Sequence, residues 1–167
     1  MHLKKGTLEL KFDEEKLDGV LRHLYAANKS LKVGILEGAQ TTSEGPSIAE
    51  IAYWNEYGTK SSKKKVHIPA RPFFRNAISN NTDTWAESIK SQLKTMGITD
   101  KNVVEKVLKK TGQLMRSDIQ QSISKGGFVP NHPYTIKMKG GRSTPLVDTG
   151  DMRNAVSYEV SNSRNTQ

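Results

Sequence analysis

The chain contains no cysteine, which excludes disulfides, thiolate metal ligands and a cysteine nucleophile and fits synthesis in a reducing cytoplasm. Long apolar runs are missing too: nowhere do the ~18 consecutive apolar residues of a membrane-spanning helix occur. The opening MHLKKGTLEL has no apolar stretch of signal-peptide length, so neither secretion by that route nor a membrane partner is expected. Aromatic residues are scarce at 7%, and hydrophobic residues reach only 34% of 167. That length and composition predict one domain over residues 1–160 with a thin core, followed by a polar tail at 161–167.

Familiar catalytic signatures are absent as well. His2, His23, His67 and His132 are scattered, with no H-E-x-x-H and no pair at metal-ligand spacing. There is no G-x-x-x-x-G-K-[ST], and Gly140-Gly141 before Arg142 reads as a loop. Glu50 and Glu56 fall on different faces of a short helix and form no carboxylate pair. No metal, cofactor or catalytic residue is therefore expected.

One stretch argues the other way. In PLVDTGDMRNAV, residues 145–156, the Asp-Thr-Gly resembles the catalytic loop of an aspartic protease, which makes Asp148 a remote candidate. Such a protease is nearly all β and needs further strands after the motif to build its walls. Only seventeen residues follow Gly150. The better reading makes Asp148 or Thr149 the cap of a helix starting at Gly150, with Asp151 placing negative charge in its first turn.

What the chain has in excess is positive charge: 26 Lys and Arg against 17 Asp and Glu, a net +9. This favours an anionic partner: on charge alone, nucleic acid, an acidic protein surface or an anionic membrane. The densest basic segment is TKSSKKKVHIPARPFFR, residues 59–75, in which Lys63, Lys64, Lys65, Arg71 and Arg75 are candidates for assembly or DNA contact. An irregular loop would hold phosphates without reading bases.

Hydrophobic spacing predicts an α+β fold. TLELKF (7–12) alternates as a strand, and Leu17, Val20, Leu21 and Leu24 make the stripe of a helix ending near Asn28. LKVGILEG begins a second strand near 31–36, and VSYEV (156–160) a third that returns to the same small antiparallel or mixed sheet. SIAEIAYWNEYG holds a short helix, started by a Ser47/Glu50 capping box and stopped by Gly58. Ile48, Ile51 and Ala52 face inward; Trp54 and Tyr57 are core-edge or subunit-contact candidates.

Pro69 and Pro72 hold the next segment extended, with Pro72 as the first helical residue. A long helix follows over 73–96, its stripe running through Phe74, Ile78, Trp85, Ile89, Leu93 and Met96. After Gly97, a cap at Thr99 or Asp100 starts a second long helix ending before Gly126. Val104, Val107, Leu108, Thr111, Met115, Ile119 and Ser122 form its inner face. Two long helices with a short turn make an antiparallel hairpin. Residues 128–150 read as loop.

IAYWNEYGT, then HIPARPFFRNAI, then NHPYTIKMKGGRSTPLVDTGDMRNAVSYEV together resemble the tailed-bacteriophage virion morphogenesis proteins. These are the small neck and tail-completion proteins of Mu-like phages, long-tailed siphophages and many prophages. Asn55, Glu56, Tyr57, Gly58 and Thr59 match the first motif of that family; Ile68, Pro69, Ala70, Arg71, Pro72, Phe73 and Arg75 match the second. Pro145, Leu146, Asp148, Thr149, Gly150, Met152 and Arg153 match the third. Ala155 stands where the family often has Ser, and Ser-Ser-Lys-Lys-Lys is inserted before the second motif. The resemblance implies a non-enzymatic structural protein at the head–tail joint, assembled in the host bacterial cytoplasm into the virion neck. It implies a homo-oligomeric ring docking to connector and tail proteins, with non-specific proximity to packaged DNA. The alternative from another class is a free nucleic-acid-binding protein using residues 60–75.

Overall fold

Two long amphipathic segments dictate the architecture, because each must bury its apolar stripe against something. In the computed structural model, which describes residues 28–36, 45–59, 68–96, 102–147 and 149–162, they bury it against each other and against a sheet. The element order is β1 (Lys29–Ile35), α1 (Ile48–Tyr57), α2 (Phe73–Met96), α3 (Val103–Lys125), α4 (Pro133–Met138), α5 (Asp151–Asn154) and β2 (Val156–Asn162). The fold is α+β: a two-stranded antiparallel sheet packed with the α2/α3 pair and shorter helices. The strand expected at 7–12, its following helix, and the Gly97, Thr99 and Asp100 turn lie outside the described residues.

The α2/α3 hairpin has a core at each end. At the open end Phe73 and Ala77 join Ile119, Ile123, Ile48, Ala52, Leu146, Met152 and Val156; at the turn end Ile89 and Leu93 meet Val103, Val104 and Val107. Between them Trp85 is fully buried, and its indole N–H donates to Asp118 Oδ2 at 2.6 Å, tying the helices together. Ser122 Oγ donates to Phe73 O at 2.8 Å, which fixes the antiparallel register.

The inward stripe of α2 starts one residue earlier than its spacing predicts. Phe73 and Ala77 are buried, whereas Phe74 is half-buried and Ile78 is 41% exposed. The buried set, Phe73, Ala77, Trp85, Ile89 and Leu93, falls at multiples of four residues and winds around the helix, because among the described residues α2 faces α1 and α3 together at its start and α3 near its end. On α3 the inner face gains Gly112 and Ile123, while Ser122 and Leu108 stand at its margin. Its N-cap is Asn102, whose side chain makes no capping bond. Pro72 sits just before α2, its carbonyl accepting the Asn76 N–H at 2.9 Å.

The sheet places its apolar pairs on one face: Leu31 opposite Val160, Val33 opposite Tyr158, and Ile35 opposite Val156. This face meets α3 at Gly112. A Cβ there would lie 2.5 Å from the Tyr158 ring and 2.9 Å from Leu31, so only glycine lets the helix come this close. Strand β2 continues past residue 160. Ser161 and Asn162, expected in the tail, pair with Ser30 and Lys29, because ladder bonds need backbone and not apolar side chains.

Candidate functional site

The first two resemblance motifs fold against each other as one polar joint between α1 and α2. Ser47 starts α1 as expected: its hydroxyl accepts the Glu50 N–H at 3.2 Å while Glu50 Oε2 accepts the Ser47 N–H at 2.8 Å. These bonds hold the Glu50 carboxyl below its ordinary range, through the Ser47 backbone first and its hydroxyl second. Gly58 ends α1 with φ +73, and a Cβ there would lie 2.8 Å from Ile68 O, so the chain turns tightly against the second motif. Thr59 closes the contact, donating its N–H to Ile68 O at 3.0 Å and accepting the Ile68 N–H on Oγ1 at 3.1 Å.

Glu56 is the centre of the joint. It is 3% exposed, and its carboxylate accepts the Phe74 N–H at 2.9 Å and the Arg75 N–H at 3.2 Å, both from the first turn of α2. An acidic side chain from one helix thus caps the next, where orphan N–H groups and the helix dipole both favour negative charge. Arg75 closes the ring, giving Nε to Glu56 Oε1 at 2.8 Å and a terminal N–H to Glu56 O at 2.9 Å, with its guanidinium 5.1 Å from the Tyr57 ring centre.

Arg71, expected on the surface, is 5% exposed. It donates to Val129 O (3.0 Å), Asn55 Oδ1 (3.1 Å), Pro130 O (3.4 Å) and Asn131 Oδ1 (3.0 Å). Four of its five N–H groups are thereby taken by the chain. Burial lowers its pKa, but a guanidinium so far above neutrality stays charged. Its own N–H reaches Asn55 O at 2.6 Å. The physical reason for the misreading is simple: a planar fork with five donors organises three chain segments better than any other side chain, and charge counting ignores that use.

The third motif is carried to the same place. Asn131 Nδ2 donates to Ser143 O and Thr144 O at 3.4 Å each, and Leu146 buries its side chain in the core holding Ile48, Ala52 and Phe73. Leu146 does so with φ +62, a backbone state costly for a side chain of its kind. Asp148 lies outside the described residues. Helix α5 begins at Asp151, with Gly150 as an N-cap that offers no side chain; Thr149 Oγ1 reaches the Asp151 N–H at 3.4 Å and donates to Asp151 Oδ2. The helix thus starts one residue later than predicted, with Thr149, one of the two expected caps, making a long contact to its first N–H.

Around the joint lie two surfaces. A cleft of about 1100 Å³ is lined by Ile48, Ile51, Ile68, Val129, Tyr134 and Leu146, with buried Arg71 and Asn131 also at its wall. On α1, Tyr53, Trp54 and Tyr57 are 45%, 37% and 56% exposed, and the two tyrosine rings lie 4.9 Å apart. Trp54 and Tyr57 were singled out by sequence; Tyr53 was not, though its i, i+4 spacing to Tyr57 was visible. The short helix α4 was also missed. Pro133 starts it and His132 Nδ1 accepts the Tyr134 N–H at 3.2 Å, but six residues are too few to develop a hydrophobic period.

Lys63, Lys64 and Lys65 lie outside the described residues. Among the described residues no group of three or more His, Asp or Glu is placed to hold a metal ion, and no helix is long and apolar enough to cross a membrane. No family model, curated protein or solved structure matches the chain.

Proposed function

We propose that the chain is a structural virion protein of a tailed phage, acting at the head–tail joint as a neck or tail-completion protein. One observation carries this reading. The three separated segments that resemble the virion morphogenesis proteins converge on a single joint, built by Asn55, Glu56, Arg71, Arg75 and Asn131. Residues repeated together for a shared architectural reason should meet in space, and these do. The chemistry of the joint is capping and cross-linking, which suits a building block.

Self-assembly is assigned to the aromatic face of α1. Tyr and Trp are enriched in the buried centres of interfaces, where they supply large contact area at low entropy cost. Tyr53, Trp54 and Tyr57 stand exposed on a helix whose base is locked by the joint, so the contact surface is rigid before it meets its partner. The free nucleic-acid-binding alternative through residues 60–75 loses Arg71 to the interior and is not favoured.

The test is electron microscopy of particles made without the protein, with the mass of the purified protein measured in solution. Full heads unjoined from complete tails, together with a ring-sized oligomer that Trp54→Ala plus Tyr57→Ala returns to monomer, is the expected result. Intact infectious particles lacking the chain overturn the proposal.

A further inference from the structure

One side of α1 forms a wall of the cleft and the opposite side forms an aromatic knob. At ~100° per residue, Ile48, Ile51 and Asn55 fall within about 60° of one another, and all three line the cleft. Tyr53 and Tyr57 project from roughly the opposite side of the helix, with Trp54 on their flank. The three rings are exposed, and the Arg75 guanidinium lies 5.1 Å from the centre of the Tyr57 ring. The cleft also presents apolar surface to water: Val129 and Tyr134, which line it, are 53% and 67% exposed.

The chemistry of the cleft decides what enters it. A small-ligand site has a volume of ~300–1,000 Å³ and a few free polar groups converging on its centre. Here the volume is about 1100 Å³, and the two buried polar side chains at the wall are already engaged, Arg71 donating to Asn131, Asn55 and the Val129 carbonyl. Such a concave apolar surface suits the bulky side chains of a protein. Its fixed charges, apart from that of Arg71, are Lys139 and Asp151, one of each sign. The knob is convex and apolar and also carries one of each: Glu50, on the same side of α1 as the tyrosines, and Arg75 beside Tyr57. The two surfaces are thus complementary in curvature and compatible in charge.

From this match we infer that the aromatic knob of α1 in one copy of the chain enters the cleft of the next copy. The inference rests on the reading that the α1 aromatics drive self-assembly, and it adds the surface that receives them. A two-fold contact of knob on knob would leave Val129 and Tyr134 in water, whereas knob in cleft covers both apolar surfaces at once. Each added copy leaves a knob free at one end and a cleft free at the other, so the contact repeats head to tail. Heterologous contacts of this kind close into rings when the rotation between copies allows.

Two variants separate the halves of the contact, both at exposed side chains. The knob variant is Trp54→Ala plus Tyr57→Ala. The cleft variant is Val129→Glu plus Tyr134→Glu, which sets carboxylates against the negative faces of the aromatic rings. Masses are measured on the full chain by analytical ultracentrifugation. Wild type is expected as an oligomer larger than a dimer, and each variant alone as a monomer. An equimolar mixture of the two variants should form a one-to-one heterodimer that grows no further, because it holds one intact knob in one intact cleft. Misfolded variants cannot recover binding in this way.

The inference is overturned by a wild type no larger than a dimer, by a cleft variant that stays oligomeric, or by a mixture that stays monomeric or grows past the heterodimer. An oligomeric cleft variant would assign the contact to knob on knob, leaving self-assembly through α1 and the particle test intact. A monomeric wild type would give both surfaces to other proteins. Infectious particles lacking the chain, with the heterodimer formed in solution, would strike the virion reading and leave the contact standing.

Discussion

Arg71 and Arg116 carry the same guanidinium into opposite surroundings. Arg71 is 5% exposed and bonds to Asn55, Asn131 and two carbonyls, while Arg116 stands exposed on α3. In the joint each charge is answered by a fixed polar group, so the ionic residues act as connectors between α1, α2 and the 129–131 segment. On α3 Arg116 is exposed to water, and Lys109 pairs with Glu105 at the surface. A net charge of +9 adds these two uses together. Only burial and hydrogen-bond partners separate them.

The sharpest way to break this contrast is Arg71→Ala. It leaves Asn55 Oδ1, Asn131 Oδ1 and the carbonyls of Val129 and Pro130 without their donor in a partly buried site at the wall of the cleft. Buried polar groups left unpaired at ~1–3 kcal/mol each, partly relieved by entering water, give an expected loss of about 3–5 kcal/mol in urea unfolding. Arg116→Ala should stay within about 0.5 kcal/mol of wild type. Equal losses for the two arginines would erase the distinction.

Glu56→Gln comes next. The amide keeps one acceptor for the start of α2 but loses the second oxygen and the charge that the helix dipole and Arg75 both favour. Charge-assisted hydrogen bonds of ~1.5–3 kcal/mol are weakened and not removed, so the expected loss is about 2 kcal/mol. Hydrogen exchange should accelerate most at Phe74 and Arg75, whose amides Glu56 accepts. A uniform acceleration along the helix would indicate that Glu56 supports the fold without acting as a cap.

The sequence revealed this contrast unevenly, and the reason is physical. Local patterns exposed α2, α3, the capping box at Ser47 and the strands near 31–36 and 156–160, because each belongs to one element. It placed Trp54 and Tyr57 on a face whose exposure it left open. It could not reveal that Glu56 caps a helix beginning seventeen residues later, or that Arg71 reaches Asn131 sixty residues away. Such bonds depend on how elements are set against one another, and the residue types involved read equally well as surface charge. The same limit hid the one-residue shift from Phe74 to Phe73, since α1 and α3 jointly choose which side of α2 is inward.

The inner side of α3 offers a third, smaller effect. Gly112→Ala would gain up to ~1 kcal/mol of helix propensity, but its Cβ would sit 2.5 Å from the ring of Tyr158. Forcing the helix off the sheet is expected to cost about 2 kcal/mol by overpacking, for a net loss of about 1 kcal/mol in thermal unfolding. Gly112→Ala plus Tyr158→Leu should recover part of it. If Gly112→Ala proved more stable than wild type, the sheet would not be what holds α3 in orientation.

The smallest effect belongs to the surface network that joins Glu105 to Lys109 and Lys29. Glu105 is held below the ordinary carboxyl range by hydrogen bonds from Lys109 and then Lys29, followed by their charges, and Lys109 is raised mainly by its hydrogen bond to Glu105. A lowered carboxyl contributes stability above its unfolded pKa and loses it as pH falls through the folded value. A raised lysine contributes below its unfolded pKa and loses it as pH rises through the folded one. The network is therefore intact across the broad range between them and weakens at both extremes. A carbon-detected NMR titration of Glu105 checks this, with Lys109→Gln expected to move its pKa upward toward the ordinary range. Salt at 1 M should act in the same direction, because exposed pairs are screened over ~3 Å at that strength. An unmoved Glu105 in Lys109→Gln would hand the carboxylate to Lys29 alone.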